Sequence, residues 1–207
     1  MSDILNLLKS AVNMNGYGAS KNFVGYFEKH GKYKPGLAED AVQFFLTFFG
    51  ASSDQFILAS SLHANSDEIG HSGDEVEDKK DLALIEDLTG SGVLKSFGYD
   101  KQFGFDYQTD RYETAVEAAW CDIQCRPMTD YKPSDLKKLL LAKMLVYGLH
   151  GHCFLVSDRL GLAFYPHDDI GFGVVALSDS ADIKVARGFL QQAGQLKNFN
   201  SIIEWKP

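Results

Sequence analysis

His150, His152 and Cys153 stand close together in the chain, and imidazole with thiolate is a ligand set that suits zinc. On a strand, His150 and His152 would project from one face, as a ligand pair requires. His167, with Asp168 or Asp169, would approach them across a sheet. These residues point to a metal-dependent hydrolase built on His150, His152 and His167. However, no HExxH, no paired CxxC and no second ligand cluster at a known spacing accompanies them. The structural alternative is histidines that cap turns or pack at a sheet edge.

The other reactive side chains are weaker candidates. Cys153 lies in an apolar run, where a thiol behaves as an inert small hydrophobe. Ser72, in GHSGD, lacks the second glycine of a nucleophile elbow and follows no apolar strand. Cys121 and Cys125 would share a face if their segment is a helix, which serves packing as readily as redox chemistry. The stretch NGYGAS has neither a third glycine nor a preceding strand, so it reads as a turn, not a phosphate loop. Asp168 and Asp169 would bind a cation or divide acid and base roles. Asp with Gly is also what a tight turn demands. No catalytic residue and no cofactor is assigned.

Charge is distributed unevenly. The whole chain carries −8, and the segment 65–87 alone holds nine acids (Asp67, Glu68, Asp74, Glu75, Glu77, Asp78, Asp81, Glu86, Asp87) against Lys79 and Lys80. That is a local charge of −7 and leaves the remainder almost neutral. Such a field repels nucleic acid and membranes and speeds encounter with a basic partner. The plain alternative is a solvated loop and the outer face of a helix. Asp67, Glu68, Asp74, Glu75, Glu77, Asp78 and Asp81, extended by Asp168 and Asp169, are therefore the candidate partner-binding residues.

The elements that must position these groups read as one α+β domain over 1–207. In this reading 1–64 is mainly helical, 65–92 is an acidic loop and helix, and 93–207 is an antiparallel sheet with helices. The 45% hydrophobic and 13% aromatic content suits a well-packed core. Helices are expected from Ile4 to Val12, from Ser20 through Phe27 to Gly31, and from Leu37 to Phe49 with Gly50 at the end. Together they form a helical N-terminal half. Gln55 to Leu62 reads as a weak strand. A helix follows from Asp74 to Leu88, with Val76, Leu82, Leu84 and Ile85 turned inward.

From Val93 to Tyr112, alternating aromatic and polar residues predict one or two strands, and Glu113 to Gln124 stays open between helix and strand. Ser134 caps a helix through Leu136, Leu139, Leu140, Met144 and Tyr147 to Gly148. Three meandering strands come next: Cys153–Val156, Leu162–Tyr165 and Phe172–Leu177. The second and third are joined by a turn of His167, Asp168, Asp169 and Gly171. Asp179 or Ser180 caps a last helix with Ile183, Ala186, Phe189 and Leu190 on one face, ended by Gly194. Three cysteines, an odd number, suit a reducing compartment. The N-terminus has no basic stretch before its apolar residues, so a cytoplasmic protein is expected.

The run FLVSDRLGLAFYPHDDIGFGVVALS resembles the closing hairpin of a group of small uncharacterised bacterial proteins. In that group an aromatic strand, an Asp-Asp-x-Gly turn and a Val-Ala-x-Ser strand precede a last helix. The matching residues are Phe154, Asp158, Gly161, Leu162, Phe164, Asp168, Asp169, Gly171, Val175, Ala176 and Ser178. Those proteins look like members of toxin and immunity loci, and no activity or catalytic residue comes with the likeness. It favours a cytoplasmic immunity-type inhibitor that neutralises a basic protein partner through the acidic surface, with the hydrolase as the alternative.

Overall fold

A computed structural model describes residues 2–65, 68–71, 73–95 and 119–205. Its helices are α1 (Ser2–Ala11), α2 (Leu37–Phe49), α3 (Glu75–Gly90), α4 (Pro133–Leu145) and α5 (Ile183–Ala193); residues 119–121 are also helical. The strands are β1 (Phe23–Lys29), β2 (Ile57–Ser60), β3 (His63–Ala64), β4 (Gln124–Pro127), β5 (Leu149–His150), β6 (Cys153–Ser157), β7 (Leu162–His167), β8 (Gly171–Ala176) and β9 (Phe199–Ile203). Seven of them form one sheet in the order β4-β2-β6-β7-β8-β1-β9, antiparallel at every junction. β3 and β5 pair separately. The chain is α+β.

The sheet is covered on both faces, which is why β6, β7 and β8 are continuous apolar runs. Alternate residues serve opposite cores. Leu155, Phe164, Phe172 and Val174 join the side covered by α2, α3, α4 and α5. Phe154, Val156, Ala163, Tyr165 and Val175 join the side covered by Ile4 and Leu8 of α1 and by Val12 just after it, with Trp120. On the helix-rich side, Phe45 packs against Phe49, Phe56, Phe164, Phe172 and Phe189 with ring centroids 4.9 to 6.0 Å apart. This aromatic layer fastens α2 and α5 to the sheet.

The expected helix over residues 20–31 is instead β1. Its register slips between Phe23 and Gly25, and this bulge puts Val24 and Phe27, three apart, into the same core. A strand thereby takes on helix-like spacing. Its hydrogen-bond partners are β8 and β9, far along the chain, so no local signal reveals them. Residues 2–64 accordingly hold two α-helices and three strands, with short 3-10 turns at Tyr17–Ala19 and Gly50–Gln55, not three α-helices in a row. The strands expected over 93–112 lie outside the described residues from position 96, as do residues 113–118.

Smaller differences concern helix ends. Lys132 precedes α4 and Pro133 takes its first turn, so Ser134 is inside the helix and caps nothing. Asp182, not Asp179 or Ser180, caps α5 by accepting from the Val185 N–H at 3.2 Å. Asp74 does cap α3, accepting from the amides of Val76 and Glu77. Val76 is 63% exposed in that first turn, whereas Ile85 and Leu88 are the residues α3 buries.

Because Phe45 is fully buried at the centre of the aromatic layer, Phe45→Ala should destabilise the protein by about 3–5 kcal/mol. Urea unfolding followed by circular dichroism measures this loss.

Candidate functional site

The β7–β8 turn forms a ridge with a depression on each side. Ile170 N–H closes the turn onto the His167 carbonyl at 3.1 Å. The left-handed residue is Ile170, at φ 59, not a glycine. A β-branched residue strains there, and Ile170 is held by burial in the helix-rich core. Lys29 N–H at the end of β1 reaches both the Asp169 and the Ile170 carbonyls at 3.1 Å. Gly171 is required by this closeness, since a Cβ there would run into the Phe27 carbonyl oxygen.

On the helix-rich side, α3, α4 and the turn enclose an open groove of about 790 Å³. Leu84 of α3, Leu141, Met144 and Leu145 of α4, and Ile170 give it an apolar lining, joined by Tyr33 and Tyr147. Five carboxylates, Glu39, Asp74, Glu77, Asp81 and Asp168, line it against two ammonium groups, Lys29 and Lys80. Lys80 is bound to Glu77 at 2.8 Å, and Lys29 to Asp169 at 3.4 Å. Among the described residues five large apolar side chains are exposed, and three of them, Tyr147 (69%), Tyr33 (51%) and Leu145 (39%), line this groove. An apolar patch rimmed by like charge is unusual on a surface with no partner.

The structure sorts the expected acidic residues. Asp74, Glu77, Asp81 and Asp168 come together in the groove. Glu75 is exposed and Asp78 half-buried, and neither lines it. Glu68 is turned to His150, its Oε2 lying 2.8 Å from the imidazole Nε2. Asp169 is held by Lys29 and lines the depression on the other side. Asp67 lies outside the described residues. Glu39, Tyr33 and Tyr147 were not among the expected site residues. Tyr147 looked like an inward residue of α4, but the helix ends at Leu145 and leaves it outside.

The three histidines do not form one centre. Gly151, at φ 93, interrupts the strand between His150 and His152 and breaks their alternation. His150 faces Glu68 and pairs with His63 across β3 and β5. His152 is buried among Trp120 and Phe154, with its Nδ1 at 2.5 Å from the Tyr17 hydroxyl. His167 Nε2 meets the Phe27 carbonyl at 3.1 Å. Among the described residues, the one group of three potential metal ligands within 4.8 Å is His167, Asp168 and Asp169.

The cysteines are free. Burial pushes the Cys153 thiol up to about 12, so it packs as an apolar group at neutral pH. Cys125 lies on β4 and Cys121 in the preceding helical turn, so they do not share a helix face. Ser72 lies outside the described residues. No helix among the described residues is long and apolar enough to cross a membrane. No family model matches this chain, and neither a curated protein nor a solved structure matches it.

Two titrations follow from the site. Burial first, then Glu77 and Asp78, raises the Asp81 pKa above the usual 3.8. A carboxyl so raised stabilises the fold only at low pH, and that contribution is lost as pH rises through the folded value. Asp81→Asn should therefore raise Tm at pH 7, read by differential scanning calorimetry. Burial is also the main cause that lowers the His167 pKa below 6.5, opposed by the Phe27 carbonyl, Asp169 and Asp168. Its contribution is present above 6.5 and is lost as pH falls through the lower folded value. The Tm difference between wild type and His167→Gln should shrink on acidification below 6.5.

Proposed function

We propose that this chain binds a protein partner by receiving a basic, apolar-anchored segment in the groove between α3, α4 and the β7–β8 turn. The observation that carries this reading is coincidence: three of the five exposed large apolar side chains among the described residues and the excess of carboxylates occupy the same groove. Each supplies what the other does not. Tyr33, Leu145 and Tyr147 offer area to bury, which slows dissociation. Asp74, Glu77, Asp81 and Asp168 steer a cationic segment and speed association. We further propose that binding neutralises the partner, as an immunity-type inhibitor does, and the likeness of the 154–178 hairpin supports that form of the reading.

Affinity capture from the source lysate at low and physiological salt tests it, comparing wild type with Asp74→Asn/Glu77→Gln/Asp81→Asn/Asp168→Asn. Asn retains the capping acceptor of Asp74, so the comparison isolates charge. Wild type should retain one basic protein near one to one, more weakly at higher salt. With that partner purified, the neutralised variant should associate about tenfold more slowly at little change in dissociation rate. Tyr147→Ala should do the reverse, raising the dissociation rate. An empty capture at both salts, or an association rate indifferent to the four acids, would count against the groove.

A further inference from the structure

On the α1 side of the ridge lies a second, smaller depression of about 270 Å³. Its charged lining is Glu28, Asp168, Asp169 and Glu204, with His167 beside them and, among the described residues, no lysine or arginine. Phe23, Tyr26 and Tyr165 supply aromatic walls. The Phe23 and Tyr26 rings stack with centroids 6.3 Å apart. Glu28, Glu204 and Asp169 act together on one point, since after burial they are what raises the Tyr26 pKa.

Tyr165 indicates what the depression is for. The residue is only 7% exposed, yet its hydroxyl has no hydrogen-bond partner among the described residues, while its side chain lines the depression. Its neighbours there are the Tyr26 hydroxyl and the Glu204 carboxylate. Gly173 makes the placement possible, because a Cβ at that position would strike the Tyr165 phenol. The hydroxyl is not sealed off, since among the described residues Arg187 Nε is the one buried side-chain polar atom without a partner, so it opens into the depression and can bond a ligand there.

His167 adds a second acceptor. The Phe27 carbonyl can only accept, so Nε2 carries the proton and donates to it at 3.1 Å. In the neutral ring Nδ1 is then left with a lone pair. Burial lowers the His167 pKa and favours that neutral form.

We infer that this depression is a binding site for a guanidinium group, an arginine side chain or a related organic cation, between Tyr26, Tyr165 and the carboxylates of Glu28 and Glu204. A guanidinium presents five donors in a plane, which suits several carboxylates and neutral acceptors at once. Its face stacks on tyrosine and phenylalanine. A bare divalent ion would leave the aromatic walls unused, and Asp169 is already engaged by Lys29. The site lies across the ridge from the groove and does not depend on the groove having a partner.

The test is a titration of the full chain, followed by amide NMR, with N-acetylarginine methylamide, and separately with the citrulline analogue, magnesium chloride and zinc chloride. The expected result is saturable shifts at Gly18, Tyr26, Asp168 and Asp169 with the arginine compound, at least about tenfold weaker with uncharged citrulline. Tyr165→Phe, which removes one oxygen, should weaken arginine binding about fivefold. Glu28→Gln/Glu204→Gln should weaken it more, and carries the test if Tyr165→Phe fails to fold. Equal shifts with citrulline, no saturation with arginine, saturation by a divalent ion alone, or full affinity in the Glu28/Glu204 variant would each overturn the inference. A groove that captured no partner would leave all of these outcomes readable.

Discussion

Antiparallel pairing of β1 with β8 is the constraint on which the rest of the molecule depends. It sets Phe27 opposite Phe172 and Tyr26 opposite Gly173, joining residues near the start of the chain to residues near its end. The Phe27 carbonyl thereby reaches His167, and Lys29 fastens the turn through the Asp169 and Ile170 carbonyls. Tyr26 and Glu28 are carried to one side of the ridge and Lys29 to the other. β9 then completes the far side of β1. Contacts of such sequence separation form late and slowly, because loop closure must precede them.

The ridge divides one acidic surface between two chemistries. Asp168 lines both depressions. On the helix-rich side its companions are the first turns of α3 and the exposed end of α4, which give a long apolar surface bordered by charge. On the α1 side they are tyrosines and two glutamates, which give a small polar cage. The strained backbone of Ile170 sits between them, and strain of that kind is maintained by surrounding packing where geometry matters to function. Burial of Asp81, and after it the neighbouring Glu77 and Asp78, raises its pKa and opposes stability at neutral pH. A surface organised for the fold alone would disperse them.

Much of this was legible locally, and the rest depended on distance. The meander β6, β7 and β8 shows itself in apolar runs separated by Asp and Gly, and α2 in its spacing and terminal Gly50. The acidic field between 65 and 87 is plain from composition. What sequence could not disclose is where that field meets the hairpin, since only packing of α3 on α4 brings Asp81 and Asp168 to one groove. β1 reads locally as a helix because its bulge imitates a helical period, and β9 gives no local signal because a short strand with alternate residues exposed carries little pattern. The histidine triad failed for a related reason: Gly151 is one residue, but in a left-handed turn it separates two neighbours that a regular strand would align. Tyr165 gives no sign at all, because where a phenol hydroxyl opens is a property of its surroundings.

The groove is tested most directly by placing the photo-crosslinking residue p-benzoylphenylalanine at Tyr147, and separately at Ile202, an exposed apolar residue of β9 outside the groove. Irradiation in the source cells, followed by mass spectrometry of the cross-linked peptide, identifies what each position touches. The result expected is one dominant adduct from position 147, absent from 202, whose peptide carries more Lys and Arg than Asp and Glu and which high salt diminishes. No adduct at 147, or the same adducts at both positions, would contradict a partner-binding groove.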